Sequence, residues 1–161
     1  MISKAIRLVL APSPPLAAAI ALVVRVTVGA TLIGFEQSKY VHHAKEARAF
    51  DRYGLPAPEV FTYVIGTVEL AGGLLLVVGL LARLVALGLA GNMVGAIATG
   101  GRVDGGFVNL GLAPLLLLAM LYLVWAGAGR LSLDEALCRR VSRAPEGVPR
   151  SLSESAAVPR P

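Results

Sequence analysis

Residues 58–81 read PEVFTYVIGTVELAGGLLLVVGLL, an apolar stretch in which Glu69 is the one charged side chain after the first turn. As a helix rising about 1.5 Å per residue, this stretch is long enough to cross the roughly 30 Å hydrocarbon core of a bilayer. Proline at position 58 is typical of a helix start. Glu69 lies about eleven residues further on, near the expected midplane. A charge there costs about 2.5–3.5 kcal/mol on insertion, so Glu69 is a candidate functional residue.

Three further apolar stretches have the same character. The chain has 161 residues, 56% of them hydrophobic, which is typical of a small multi-pass membrane protein. The predicted spans are about 15–34, 58–81, 83–99 and 107–126, and Pro114 falls inside the last one. Short connections place successive spans antiparallel. The sequence therefore predicts an all-α membrane protein whose residues 15–127 form an antiparallel four-helix transmembrane bundle.

Two amphipathic segments lie outside these spans. Apolar side chains recur every three residues between Tyr40 and Tyr53, which predicts a short interfacial helix that covers one end of the bundle. Ser132 and Glu135 have capping-box spacing, which predicts a second amphipathic helix within 128–143. Residues 1–14 are expected to be a short N-terminal segment, and residues 144–161, rich in Pro, Ser and Arg, to be disordered. Lysine and arginine counts beside the spans favour cytoplasmic termini and cytoplasmic placement of both end segments.

Two more polar residues share the expected depth of Glu69. Arg25 lies about ten residues past Pro15, and Asn92 lies about halfway along the third span. Opposite charges at one depth on adjacent helices suggest a buried pair, and with Asn92 they would form a polar layer. Such a layer can bind a quinone carbonyl or another small polar head group. It can equally be satisfied internally and serve only to fix the register of the helices.

Glycine is frequent in the second and third spans. Small residues let membrane helices approach closely, because packing drives their association. We expect packing within the monomer at Gly66, Gly72 and Gly73, and at the GxxxG pair Gly91 and Gly95, with a dimer seam as the alternative.

Several classes of function are not expected. The single cysteine, Cys138, excludes an intrachain disulfide and a cysteine-rich metal site made by this chain alone. The adjacent His42 and His43 would point about 100° apart on a helix, so no metal site is expected. The arginines of the tail lack interleaved aromatic residues, which disfavours nucleic acid as a partner. Phosphate-loop, dinucleotide and zinc-protease motifs are not recognisable, so neither a self-sufficient enzyme nor a covalently or metal-bound cofactor is expected.

At this point the pattern over roughly residues 20–137 resembles the DoxX family of small four-helix membrane proteins. The matching motifs are Arg25-Val-Thr-Val-Gly29, Lys39, Tyr53-Gly54-Leu55-Pro56, Glu69-Leu-Ala-Gly72-Gly73 with Gly79-Leu-Leu-Ala-Arg83, and Gly127-Ala-Gly129-Arg130-Leu-Ser132-Leu-Asp134. The resemblance adds Gly29 to the packing glycines and Lys39 to the candidate binding residues. Where the family often has a His-Gly pair, this chain has Phe35-Glu36.

The resemblance implies a protein of the bacterial plasma (inner) membrane that is tied to redox metabolism. Family relatives are linked to quinone reduction and to defence against oxidative stress. The first hypothesis is therefore a subunit of a redox membrane complex with a quinone or small-molecule pocket at Arg25, Glu69, Asn92 and Lys39. Its expected partners are the lipid bilayer and other redox subunits. The alternatives are a non-catalytic accessory or assembly subunit and, more weakly supported, a small transporter.

Overall fold

The computed structural model describes residues 15–129 and 131–143. Four stretches are long and apolar enough to cross a membrane, namely Pro15–Val41, Pro58–Val78, Ala82–Val103 and Val108–Ala126. The elements are α1 (Pro15–Val41), α2 (His43–Arg52), α3 (Pro58–Val78), α4 (Ala82–Ala98), α5 (Gly100–Val103), a π-helical stretch (Val108–Leu112), α6 (Ala113–Ala126) and α7 (Leu133–Arg143). The predicted all-α membrane fold is confirmed. The expectations for residues 1–14 and 144–161 lie outside the described residues.

Helix α1 is longer than the sequence predicts. Its expected end was near Gly34, but it continues to Val41 and reaches 27 residues. The extension contains no proline, and Gly34 itself keeps a helical backbone. The helix can continue because its polar side chains have partners inside the bundle. Lys39 pairs with Glu36 of the same helix and with Glu69. The extension therefore carries two charged residues into the interior.

The bundle packs α1 against α3, and α4 against α6. Its centre is apolar, and Leu76, Leu89, Met120 and Leu123 are almost fully buried. Large apolar side chains also cover the outside of every span, including Val60, Leu74, Leu118 and Trp125. Because an exposed apolar surface of this extent is unfavourable in water, the outer faces fit contact with lipid.

The fourth span changes its helical geometry just before Pro114. A proline lacks the N–H that a helix directs to the carbonyl four residues earlier, here that of Leu110. The structure places the π-helical stretch at this point, and regular α-helix begins at Ala113. Widened turns of this kind are frequent at functional sites. The stretch presents Asn109 to the interior of the bundle.

Both predicted amphipathic helices are present. Helix α2 buries Ala47 against the bundle and covers one end of it, so we call it the lid. At the start of α7, the Ser132 hydroxyl accepts a hydrogen bond from the Glu135 N–H at 3.1 Å, as the capping box requires. The Glu135 carboxylate does not reach back to complete the box. It pairs instead with Arg139, one turn further along, at 3.1 Å.

Candidate ligand-binding site

A cavity of about 400 Å³ lies inside the bundle beneath the lid. All four spans and the lid contribute to its wall, which is mostly apolar. Its polar lining side chains are Thr31, Glu36, Lys39, Glu46, Tyr53, Glu69, Asn92, Thr99 and Asn109. Its size and its mainly apolar lining with few polar groups are those of small-molecule sites.

Glu69 is the centre of the polar lining. It is 5% exposed, and both of its carboxylate oxygens are used. Lys39 Nζ donates to Oε2 at 2.5 Å, and Asn92 Nδ2 donates to Oε1. The structure therefore brings together three of the four residues that the sequence predicted for a binding site, contributed by α1, α3 and α4.

Glu36 completes this group, which we call the polar cluster (Glu36, Lys39, Glu69 and Asn92). It is 1% exposed, and its Oε1 lies 2.7 Å from Lys39 Nζ. The two residues are three apart on α1, so they share one face of the helix. Two carboxyl groups thus converge on a single ammonium group. With all three groups ionised, the polar cluster would carry a net charge of minus one.

The predicted pairing of Arg25 with Glu69 is wrong. Arg25 Nη2 donates to the Leu131 carbonyl at 2.5 Å, and a Cβ at Gly79 would lie within 1.5 Å of Nη1. Gly79 follows Glu69 by ten residues, which is about 15 Å along a helix. Arg25 and Glu69 therefore lie at different heights, and Arg25 does not line the cavity.

Arg25 instead helps to anchor residues 131–134, which we call the closing segment. The Asp134 carboxylate accepts from the N–H groups of Leu81 at 2.8 Å and Ala82 at 3.0 Å, and so caps the N-terminus of α4. The Asp134 N–H donates to the Gly79 carbonyl at 3.1 Å. Gly79 has a left-handed φ of 74° and no room for a side chain beside Arg25. The closing segment therefore has a structural role at the end of the bundle opposite the lid.

The packing glycines divide into two groups. A Cβ at Gly29 would lie 2.7 Å from the Gly73 carbonyl, so the backbones of α1 and α3 touch there. A Cβ at Gly72 would lie 2.9 Å from Leu89 of α4. Both approaches agree with the prediction of close helix packing.

Gly66, Gly91 and Gly95 differ from that group. Gly66 lies against the Glu36 carboxylate, which is 3.1 Å from a Cβ built there. For Gly91 and Gly95 the prediction of packing within the monomer is wrong, because a Cβ at either would meet nothing within 4 Å. Gly95 borders the cavity, whereas Gly91 does not.

The lid is fastened to the opposite side of the cavity through Asp104. This residue follows α5 and accepts from Arg52 Nη2 at 2.9 Å and from the Tyr53 hydroxyl at 2.6 Å. Tyr53 also lines the cavity, together with Phe50 of the lid. These contacts join the connection between the first two spans to the connection between the third and fourth.

Two pKa values reflect this contact. Burial, assisted by the hydrogen bond to Asp104, raises the pKa of Tyr53 to about 12. The hydrogen bonds from Arg52 and then Tyr53 lower the pKa of Asp104 below its ordinary value. At neutral pH the contact therefore consists of a neutral phenol and a guanidinium sharing one carboxylate. These groups are exposed or only partly buried, so salt weakens the ion pair.

Glu36 and Asn109 are among the polar lining residues that sequence reasoning missed. Glu36 was noted only as a departure from the family pattern, because α1 was expected to end before it. Its spacing of three residues from Lys39 was the available signal. Asn109 carries no comparable signal, since its orientation depends on the π-helical stretch.

Comparison with known proteins gives two matches. The model of the DoxX family matches residues 6–102. An uncharacterized membrane protein of Mycobacterium tuberculosis, Rv3486, is 35% identical over 151 residues, covering 84% of this chain and 90% of that protein. No solved structure matches the chain.

Proposed function

Because the chain belongs to the DoxX family and encloses an apolar cavity with one polar end, we propose that it binds a quinone-class molecule as a subunit of a redox-linked membrane complex. The observation that carries this proposal is the hydrogen bonding of Lys39. An ammonium group has three N–H donors, and Glu36 and Glu69 use two of them. The third remains for a ligand oxygen at the polar end of the cavity, which Lys39 lines.

The charges of the polar cluster favour a neutral ligand. With both carboxyl groups ionised the polar cluster is negative, and with one of them protonated it is neutral. In neither state does it offer an anion a net positive charge in an environment of low dielectric constant. A quinone carbonyl is a neutral acceptor that can take a hydrogen bond from Lys39. Its ring would lie among apolar side chains such as Phe35, Phe61 and Met93. This reasoning disfavours a sulfur oxyanion as the ligand of this cavity.

The cellular setting is part of the same proposal. The mycobacterial relative supports a bacterial inner membrane, and the lysine and arginine counts support cytoplasmic termini. The cavity would then open toward the outer interface, beneath the lid. In this proposal the chain supplies the binding site, and electron transfer is the work of partner subunits. Those partners would be other membrane or redox proteins.

Filling the cavity tests this proposal without altering the polar cluster. Gly95 borders the cavity and has space for a side chain, so Gly95→Leu should fill the site while the protein folds normally. Gly91→Leu is the matched control, because Gly91 is equally open and lies outside the cavity. The purified protein in lipid nanodiscs would be titrated with a short-tailed naphthoquinone and a short-tailed benzoquinone by calorimetry.

We expect saturable binding to the unmodified protein and to Gly91→Leu, and affinity weakened by about tenfold or more in Gly95→Leu, equivalent to about 1.4 kcal/mol. Lys39→Met should weaken binding similarly, because it removes a charged donor worth about 1.5–3 kcal/mol. Exposed Lys45 on the lid provides its control, Lys45→Met. Equal affinities for the Gly95 and Gly91 variants, or no saturable binding by the unmodified protein, would refute the quinone site.

A second function is supported by how completely Glu69 is satisfied within the chain. Lys39 and Asn92 occupy both of its oxygens, as expected of a cluster that serves folding. The protein would then be an accessory or assembly subunit. Under that hypothesis Glu69→Gln lowers the yield of folded protein, and no quinone affinity exists to be lost. The quinone titration described above distinguishes the two functions.

A further inference from the structure

Glu36 has one carboxylate oxygen that the proposed quinone site does not use. The residue is 1% exposed, and Oε1 faces Lys39. Its Oε2 is fully buried and has no hydrogen-bond partner among the described residues. Burying an ionised oxygen without a donor is strongly unfavourable. A proton on this oxygen removes that penalty.

The surroundings of Glu36 also favour one retained proton. Glu36 and Glu69 share the single ammonium of Lys39, and two carboxyl groups this close do not readily both ionise. Glu46 and Tyr53, from the connection that contains the lid, line the same cavity. Among the described residues, Lys39 is the only cation in the cavity wall, so the second carboxylate has no cation of its own there. The polar cluster therefore has the composition of a site that stores one proton.

The unpartnered oxygen lies against Gly66 of α3. A Cβ at Gly66 would lie 3.1 Å from Glu36 Oε2 and 3.7 Å from the Tyr40 hydroxyl, so both oxygens border the same glycine. The Tyr40 hydroxyl is 3.1 Å from Thr67 Oγ1. Tyr40 is 41% exposed and is the penultimate residue of α1, next to the polar lid. Glu36 thus lines the cavity and also borders the glycine that the Tyr40 hydroxyl borders.

We propose that Glu36 exchanges protons between the cavity and the aqueous interface, past Gly66 and through Tyr40. In one passage, the carboxyl group accepts a proton on Oε1 from the cavity side and releases one from Oε2 toward the Tyr40 hydroxyl. The cavity-side donor loses its bond to the proton as the Oε1–H bond forms, and the Oε2–H bond breaks as the Tyr40 oxygen takes up a proton. The Tyr40 hydroxyl then gives its own proton to water at the interface, so no charge is left on the chain and no electron moves. Along this route, a hydroxyl group on a bound ligand could transfer its proton to Glu36. The ligand rests on the proposed function, but the exchange is a property of the chain itself.

Infrared spectroscopy tests the exchange without any ligand. The full-length protein in lipid is transferred from H₂O to D₂O, and the C=O band of protonated carboxyl groups is followed as it shifts. Glu36→Gln should remove one such band, which assigns it. Tyr40→Phe keeps the ring and removes the hydroxyl, so the remaining Glu36 band should exchange about tenfold more slowly or worse. Tyr63→Phe, on the neighbouring ring 6.4 Å away, is the control and should exchange at the original rate.

Gly66→Ala provides a second variant that leaves every polar group in place. Its methyl group would press on Glu36 Oε2 at 3.1 Å and contact the Tyr40 hydroxyl at 3.7 Å, so exchange past Gly66 should slow again. Gly88→Ala controls for the loss of a helical glycine, because a Cβ at Gly88 meets nothing within 4 Å.

Exchange at the original rate in Tyr40→Phe would overturn the route, and the absence of any band removed by Glu36→Gln would overturn the stored proton. Slowed exchange together with no quinone binding would leave the route standing and reject the proposed function. The two failures are therefore distinguishable.

Discussion

Asp134→Ala removes the acceptor that holds the closing segment to the start of α4. The two carboxylate oxygens accept from Leu81 N–H at 2.8 Å and from Ala82 N–H at 3.0 Å. A hydrogen bond to a charged group contributes about 1.5–3 kcal/mol, and loss of an N-cap costs about 0.5–2 kcal/mol. These terms overlap, but the variant also leaves buried Arg25 without its neighbouring carboxylate. We therefore expect the free energy of unfolding to fall by about 3–5 kcal/mol.

A milder variant and a control sharpen this prediction. Asp134→Asn keeps one acceptor oxygen and loses the charge, so its destabilisation should be about half as large. Glu135, the residue after Asp134, provides the control. Glu135→Ala removes an exposed ion pair with Arg139 that contributes at most about 1 kcal/mol. The full-length proteins would be unfolded from mild detergent by titration with dodecyl sulfate, with helicity followed by circular dichroism. The reasoning fails if Asp134→Ala unfolds within about 1 kcal/mol of the unmodified protein, or no earlier than Glu135→Ala.

Three further predictions concern the lid and the helix seams. Asp104→Asn loses the ion pair with Arg52, so amide hydrogen exchange in α2 should accelerate while exchange in α3 stays unchanged. Because the pKa of Tyr53 is raised to about 12, lid stability present below the ordinary tyrosine pKa of about 10 should be lost as pH rises from there toward the folded value. The difference in tyrosinate absorbance between the unmodified protein and Tyr53→Phe reports Tyr53 alone. This difference should titrate near pH 12. Gly29→Ala should destabilise the protein by about 1–3 kcal/mol because the α1–α3 backbones touch, whereas Gly91→Ala should stabilise it by about 0.5–1 kcal/mol. Thermal unfolding in detergent compares this last pair.

The four spans could be predicted from the sequence because lipid imposes a length and a polarity on each of them. The end of α1 could not. The predicted first span ends near Gly34, so Lys39 was expected to lie outside it. The helix continues because its polar side chains meet partners on α3, and that pairing is a tertiary property. The π-helical stretch was also hidden, although Pro114 marked the place of an irregularity.

The same limit explains which parts of the site were predicted. Glu69 and Asn92 were found because polar residues in the middle of apolar spans are rare, and the structure does join them. Arg25 was assigned by its depth along one helix, which assumes that neighbouring spans begin at one level. Its acceptor, the Leu131 carbonyl, lies 106 residues later in the chain. No local pattern indicates a backbone acceptor at that separation.

The two ends of the bundle use their charged residues differently, and this difference bears on where a ligand can bind. At the closing-segment end, backbone groups of the loop and the turn meet Arg25 and Asp134, so the chain holds itself together there. At the lid end the charges contact one another, and backbone groups take no part in their pairing. Side-chain pairs can rearrange around a guest at less cost than backbone contacts, since only rotamers change. The lid end is therefore where a ligand head group could approach the remaining N–H of Lys39 without opening the bundle.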